Sequence, residues 1–178
     1  MVSLKQPEKK LVFSRAEIED RVQALAREIS RAYKDRDVVL IGVLNGVFMF
    51  FSDLVKALDL PVRIDFVRLA SYGDGTESSG RINMTKGVEI DLTGRDVLIV
   101  EDIVDSGLTL GYLKNYLAGL GASSVKICVL INKMERRDVS VSLEFVGFKV
   151  DQGFLVGYGL DYDEQYRYLP EIYHLIMA

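Results

Sequence analysis

Residues 97–109, Val-Leu-Ile-Val-Glu-Asp-Ile-Val-Asp-Ser-Gly-Leu-Thr, constrain this chain more than any other stretch. Four apolar, mostly β-branched residues at 97–100 follow the turn-like Thr93-Gly94-Arg95-Asp96. Such a run suits a strand buried on both faces of a parallel sheet. Two carboxylates, Glu101 and Asp102, stand at its carboxyl end. After Ile103 and Val104 come Asp105, Ser106, Gly107, Leu108 and Thr109, small and polar, and helical spacing starts at Leu108. In an open α/β sheet, ligands bind outside the carboxyl ends of strands. Backbone amides at a loop-to-helix junction attract anions. The stretch therefore puts three acids beside a phosphate cradle.

The remaining chain repeats the strand-then-helix pattern. Ser14-Arg15-Ala16-Glu17 reads as a capping box. Ile18, Val22, Leu25, Ala26, Ile29 and Tyr33 follow at helical spacing. Residues 38–43 read as a buried strand, and Leu44-Asn45-Gly46 as a tight turn into a second helix carrying Val47, Phe51, Leu54, Val55 and Leu58. Asn-Gly commonly marks a hairpin, but the helical period that follows rejects one. Residues 63–70 read as a third strand. The polar, Gly-rich 71–80 is either a surface loop or a lid over a reacting centre. The helix after the central motif carries Leu113, Tyr116, Leu117 and Leu120, with Gly121 as its cap. Residues 125–131 read as another buried strand, 132–138 as a charged loop, and 139–154 as short strands and turns. The acidic, aromatic tail is expected to pack down at 173–177. Strands alternating with helices predict a parallel α/β sheet.

Composition narrows the function. With 178 residues, 49% of them hydrophobic, the chain suits one domain spanning residues 1–178. A formal net charge of −4 suggests no nucleic-acid footprint. One cysteine, Cys128, and one histidine, His174, cannot build a zinc site. Cys128 lies in an apolar run and reads as core, and His174, with no motif around it, as a surface or packing residue. Residues 1–14 lack the apolar stretch of a signal peptide, and 38–51 is too short to span a bilayer, so a cytoplasmic protein with no membrane partner is expected.

The motif at 105–109 has neither the lysine of a P-loop nor the spacing of G-x-G-x-x-G. No Ser/His/Asp triad is in view. What remains is an anion cradle with carboxylates at its mouth. Carboxylates repel phosphate, so Glu101 and Asp102 must face sugar hydroxyls or a Mg²⁺ ion bridging to further phosphates. Asp105 could accept a proton or stabilise developing positive charge.

These residues resemble the phosphoribosyl-pyrophosphate motif of type I phosphoribosyltransferases. Leu44-Asn45-Gly46, Ser71-Tyr72, Lys133, Phe145-Val146-Gly147-Phe148, residues 154–161 and Arg167 together resemble the hypoxanthine(-guanine) branch, over nearly the whole chain. The resemblance implies a parallel sheet core flanked by helices, with a small hood formed by the chain ends and a flexible lid loop. It implies that Glu101 and Asp102 hold the ribose hydroxyls directly or through Mg²⁺, and that Asp105 acts near purine N7 as general base or acid. Ser106, Gly107, Leu108 and Thr109 would cradle the 5′-phosphate. Leu44, Asn45 and Gly46 would offer amides to pyrophosphate, in the family through a non-proline cis peptide. Arg167 would also meet pyrophosphate. Ser71 and Tyr72 would stand at the base of the lid. Lys133 would donate to the purine 6-oxo group, Phe154 would stack on the base, and Leu155 would read its edge. Asp161 would bind a second Mg²⁺.

The implied reaction joins phosphoribosyl pyrophosphate to hypoxanthine or guanine, giving IMP or GMP, in a homodimer or homotetramer that binds no nucleic acid. The alternatives are a nucleotide-sensing regulator on the same fold and a xanthine-preferring transferase. One departure concerns the base pocket. Many family members carry an acidic or basic residue just before the stacking Phe, where this chain has Gln152-Gly153.

Overall fold

The computed structural model describes residues 7–71, 82–135 and 141–176. Helix α1 (Arg15–Ala32) begins as the capping box dictates. The Glu17 amide donates to Ser14 Oγ at 3.3 Å, and the Ser14 amide donates to Glu17 Oε2 at 2.8 Å. Ile18, Val22, Leu25, Ala26 and Ile29 form its buried face.

Six strands make the main sheet: β2 (Val38–Leu44), β3 (Arg63–Ser71), β4 (Ile82–Lys86), β5 (Asp96–Val104), β6 (Ser124–Lys133) and β7 (Phe145–Val150). Their order is β4-β3-β2-β5-β6-β7. All neighbours pair in parallel except β4, which runs antiparallel on β3. The alternation of side chains along these strands divides the core in two. Leu40, Leu98, Val100, Cys128 and Leu130 pack against α1 and α2 (Phe48–Ala57). Val39, Ile41, Val97, Ile99, Ile127 and Val129 pack against Leu110, Leu113 and Leu117 of α3 (Leu108–Gly119). Strands apolar on both faces thus receive a layer on each, the condition for a parallel sheet. Cys128 is fully buried, and burial pushes its thiol well above the ordinary value.

From β2 the chain crosses by α2 to β3 on one side. From β5 it crosses by α3 to β6 on the other. Right-handed crossovers in opposite directions must lie on opposite faces, which explains why α2 and α3 do. The boundary between β2 and β5 is the topological switch point, where open α/β sheets bind ligands. The chain ends supply a second, antiparallel sheet, β1 (Glu8–Phe13), β9 (Ile172–Ile176) and β8 (Leu155–Val156), in the order β1-β9-β8. This is the expected hood.

Three details differ from the sequence reading. Residues 145–150 form a full strand in parallel register with β6 rather than short strands and turns. Leu120 is the C-cap of α3 and 41% exposed; Leu110 takes the buried place at the other end of the stripe. Strands β1, β4 and β8 had no signal in the hydrophobic pattern. Tyr72 and the rest of the segment read as a lid lie outside the described residues. Ser71 ends β3, paired with Ile82.

Asp65 of β3 is buried at 8% exposure and anchors the connection from β4 to β5. Its carboxylate accepts from the amides of Glu89 at 2.6 Å, Phe66 at 2.7 Å and Ile90 at 3.2 Å, and from Lys86 Nζ at 3.1 Å. Burial alone would raise this carboxyl, but the amides and the ammonium outweigh it and hold it below its ordinary value. A depressed folded value adds stability above the unfolded value of about 3.9, and that stability is lost as pH falls through the folded value. Asp65→Asn should therefore cost about 1–3 kcal/mol in urea unfolding at pH 7. The gap from wild type should narrow near pH 3; an equal gap at both pH values would show that the carboxylate charge contributes nothing.

Candidate active site

Two cavities open at the switch point. The larger, about 380 Å³, is lined by the turn after β2 (Leu44, Asn45, Gly46), by Glu101, Asp102 and Asp105 of the central motif, and by Lys133. Phe154, Leu155, Asp161 and Arg167 close it from the hood side. The smaller, about 190 Å³, is formed by Ser106, Gly107, Thr109 and Leu110 at the start of α3. Glu101, Ile103 and Asp105 line both. The other site residues read from the sequence converge here, with Leu108 the first residue of α3 beside the smaller cavity; Ser71 is described only by its pairing in β3, and Tyr72 lies outside the described residues.

The smaller cavity offers the groups that an anion needs. Gly107 is the N-cap of α3 and has no side chain to cap the helix, and the first turn holds no acid. Helix N-termini carry unpaired amides and a partial positive charge. Ser106 Oγ accepts from the Leu108 amide at 3.3 Å, which sets its hydroxyl at the same helix start.

The two buried acids are the costliest feature of the site. Glu101 and Asp102 are each 8% exposed. Burial, followed by the adjacent Asp102 charge, pushes the Glu101 carboxyl well up. Burial also raises Asp102, although the Ile103 amide and the field of Arg167 partly oppose it. Among the described residues neither acid has an ion-pair partner. Two buried carboxyls without a cation resist ionising together, so the pair is suited to receive one.

Asp102 is also tightly packed. A Cβ built on Gly46 would overlap Oδ2 of Asp102, and one built on Gly159 would overlap the Gly46 carbonyl oxygen. The turn after β2 is thus pressed between the central motif and the hood loop, and glycine is required by close approach at both positions. The Leu44–Asn45 peptide is cis, the non-proline cis bond that the family resemblance implies for this turn.

On the hood side, Arg167 pairs with Asp161 at 2.8 Å and donates to the Gly159 carbonyl at 2.8 Å. Phe154 is 44% exposed at the cleft mouth and meets Tyr162 edge-on, with ring centroids 5.4 Å apart. Lys133 is nearly buried; its Nζ lies 3.0 Å from Glu135 and 4.0 Å from Oδ2 of Asp105. The other oxygen of Asp105, Oδ1, is buried with no hydrogen-bond partner among the described residues. A buried acceptor left unpaired in a cleft is a group awaiting a proton donor. Sequence reading passed over Ile103 and Tyr162. Ile103 sits inside the motif as an apolar residue between acids, and Tyr162 ends the Gly- and aromatic-rich segment at 155–162; neither carries a signal beyond its place.

A domain model described as phosphoribosyl transferase domain matches residues 13–163. The chain is 44% identical over 165 residues to hypoxanthine-guanine phosphoribosyltransferase of Aquifex aeolicus, covering 92% of this chain and 93% of that one. It is 44% identical over 163 residues to the Bacillus subtilis protein of the same name, covering 92% and 91%. A crystal structure of a hypoxanthine-guanine phosphoribosyltransferase from Bacillus anthracis superposes with a TM-score of 0.90 at 38% identity, covering 96% of this chain and 100% of that one. The chain belongs to the phosphoribosyltransferase family. Within that family it falls in the hypoxanthine(-guanine) phosphoribosyltransferase branch.

The contact between Gly46 and Asp102 yields a direct test. Gly46→Ala must displace either the turn or the Asp102 carboxylate, and a misplacement of about 1 Å at a reacting centre costs roughly 10² in rate. Phosphoribosyl transfer by Gly46→Ala should fall by about that factor with circular dichroism unchanged. Wild-type turnover would mean that the turn and Asp102 are not jointly required.

Proposed function

We propose that the protein transfers the 5-phosphoribosyl group of phosphoribosyl pyrophosphate to N9 of hypoxanthine, and of guanine, giving IMP or GMP and pyrophosphate in purine salvage. One observation carries the reading: a phosphate-sized cavity at a helix start and a larger cleft share Glu101, Ile103 and Asp105. A ribose bridging a phosphate and a purine would lie across these acids.

In this reading the amides and hydroxyls of residues 106–109 hold the 5′-phosphate. Glu101 and Asp102 hold the ribose hydroxyls. The turn at Leu44, Asn45 and Gly46, with Arg167, binds pyrophosphate. The C1′–oxygen bond to pyrophosphate breaks as N9 bonds to C1′, and the purine gives up a proton. Asp105, with Oδ1 unpartnered, takes or holds that proton at N7. The oxocarbenium character expected at C1′ is favoured by carboxylates nearby. The residues fit Mg²⁺: Glu101 and Asp102 would share it with substrate oxygens, and Asp161 would serve a second ion. Such a cation, when bound, neutralises the leaving pyrophosphate. Among the described residues no cluster of three acid, His or Cys ligands could hold a metal; Mg²⁺ commonly needs only one or two carboxylates beside substrate phosphates. A cytoplasmic homodimer or homotetramer completes the reading. No helix among the described residues is long and apolar enough to cross a membrane.

Base choice follows from Lys133. Its ammonium is a donor, and a 6-oxopurine presents an acceptor to it. Adenine presents an amino donor instead, so donor meets donor and the nearly buried ammonium gains no acceptor from the base. Incubation with phosphoribosyl pyrophosphate, Mg²⁺ and each purine in turn should yield nucleotide from hypoxanthine and guanine, with adenine slower by at least roughly 10². Nucleotide from xanthine in preference to both would move the acceptor assignment, and none from any purine would remove the transferase reading.

A further inference from the structure

The proposed chemistry leaves the single histidine, His174, without a role. It lies in β9, across from Leu155 of β8 and Lys10 of β1. Gly153 has φ of 109°, and a Cβ built on it would lie 2.5 Å from Cε1 and 2.8 Å from Nδ1 of His174. The imidazole therefore fills the space that a side chain at position 153 would need. The next residue of β9, Leu175, donates its amide to the Phe154 carbonyl at 2.9 Å. Strand β9 thus holds the segment at 153–155 twice, once by the main chain and once by the ring beneath Gly153. That segment lines the larger cleft.

Phe154 needs such support. It is 44% exposed and meets Tyr162 only by an edge, so its own packing holds it weakly. Its direction is set by the backbone on either side, and on one side that backbone is a glycine, the residue with the most conformational freedom. A flat ring pressed against Gly153 removes that freedom.

We propose that His174 is a positioning residue for the purine, acting through Gly153 to hold Phe154 and Leu155 at the base. The inference rests on the reading that these two residues bind the base. Among the described residues no hydrogen bond or ion pair joins His174 to the phosphate cradle at α3 or the turn after β2, so its removal should weaken purine binding selectively.

The test compares Michaelis constants for the two substrates. His174→Ala should raise KM for hypoxanthine roughly tenfold and leave KM for phosphoribosyl pyrophosphate within about twofold. His174→Phe, which keeps a flat ring under Gly153, should restore most of the loss. Gly153→Ala should also raise the purine KM, and the double variant should show less than the product of the two effects, because both act through one contact. An unchanged purine KM in His174→Ala, a parallel rise in both constants, or independent effects in the double variant would overturn the inference while wild-type turnover leaves the transferase reading standing. An inactive wild type would overturn that reading first, and this inference with it.

Discussion

The parallel pairing of β2 with β5 is the constraint on which the site depends. Residues 38–42 pair with 96–100 in unbroken register, and each strand then leaves the sheet by a helix on the opposite face. The gap between the two departing chains is bordered by their own loops. The turn at 44–46 and the loop at 105–109 therefore face each other, and Gly46 meets Asp102 there. A third loop, from the hood, leans on the first through Gly159. The geometry of the site is a consequence of sheet order, and the chemistry is what the loop residues add.

The electrostatics of the site are arranged for a ligand that brings positive charge on one side and negative charge on the other. Glu101 and Asp102 are raised by burial, a standing cost in folding energy that packing elsewhere must offset. A few residues further on, the start of α3, with glycine at its N-cap, favours an anion. Asp105 lies between, flanked by Lys133. A phosphorylated sugar with a metal-bound pyrophosphate meets both demands at once, whereas a bare phosphate meets only the second and a bare nucleobase neither.

Much of this could be read from local pattern. The capping box at Ser14, the apolar run at 97–100 and the small polar loop at 105–109 each encode their structure within a dozen residues, and each formed as expected. The elements that escaped are those that local pattern does not mark. Strand β1, Glu-Lys-Lys-Leu-Val-Phe, shows no clear alternation, and it is a strand because β9 from the other end of the chain pairs with it. Strand β7 is mixed in burial and takes its register from β6. In the site, the central motif stood out by itself, but Lys133, Phe154, Asp161 and Arg167 look like ordinary charges and a core aromatic until the fold brings them to one cleft. No single-residue signal marked Gly153 and His174, because their fit is a contact between two strands.

Asp105 is where the phosphate half and the base half of the site meet, and its proton chemistry is the central claim. Single-turnover rates of Asp105→Asn, measured at saturating substrates, test it most directly. The geometry predicts a fall of roughly 10²–10⁴ in the rate of nucleotide formation, with the dissociation constant for phosphoribosyl pyrophosphate unchanged. A rate near that of the wild type in a natively folded variant would contradict it.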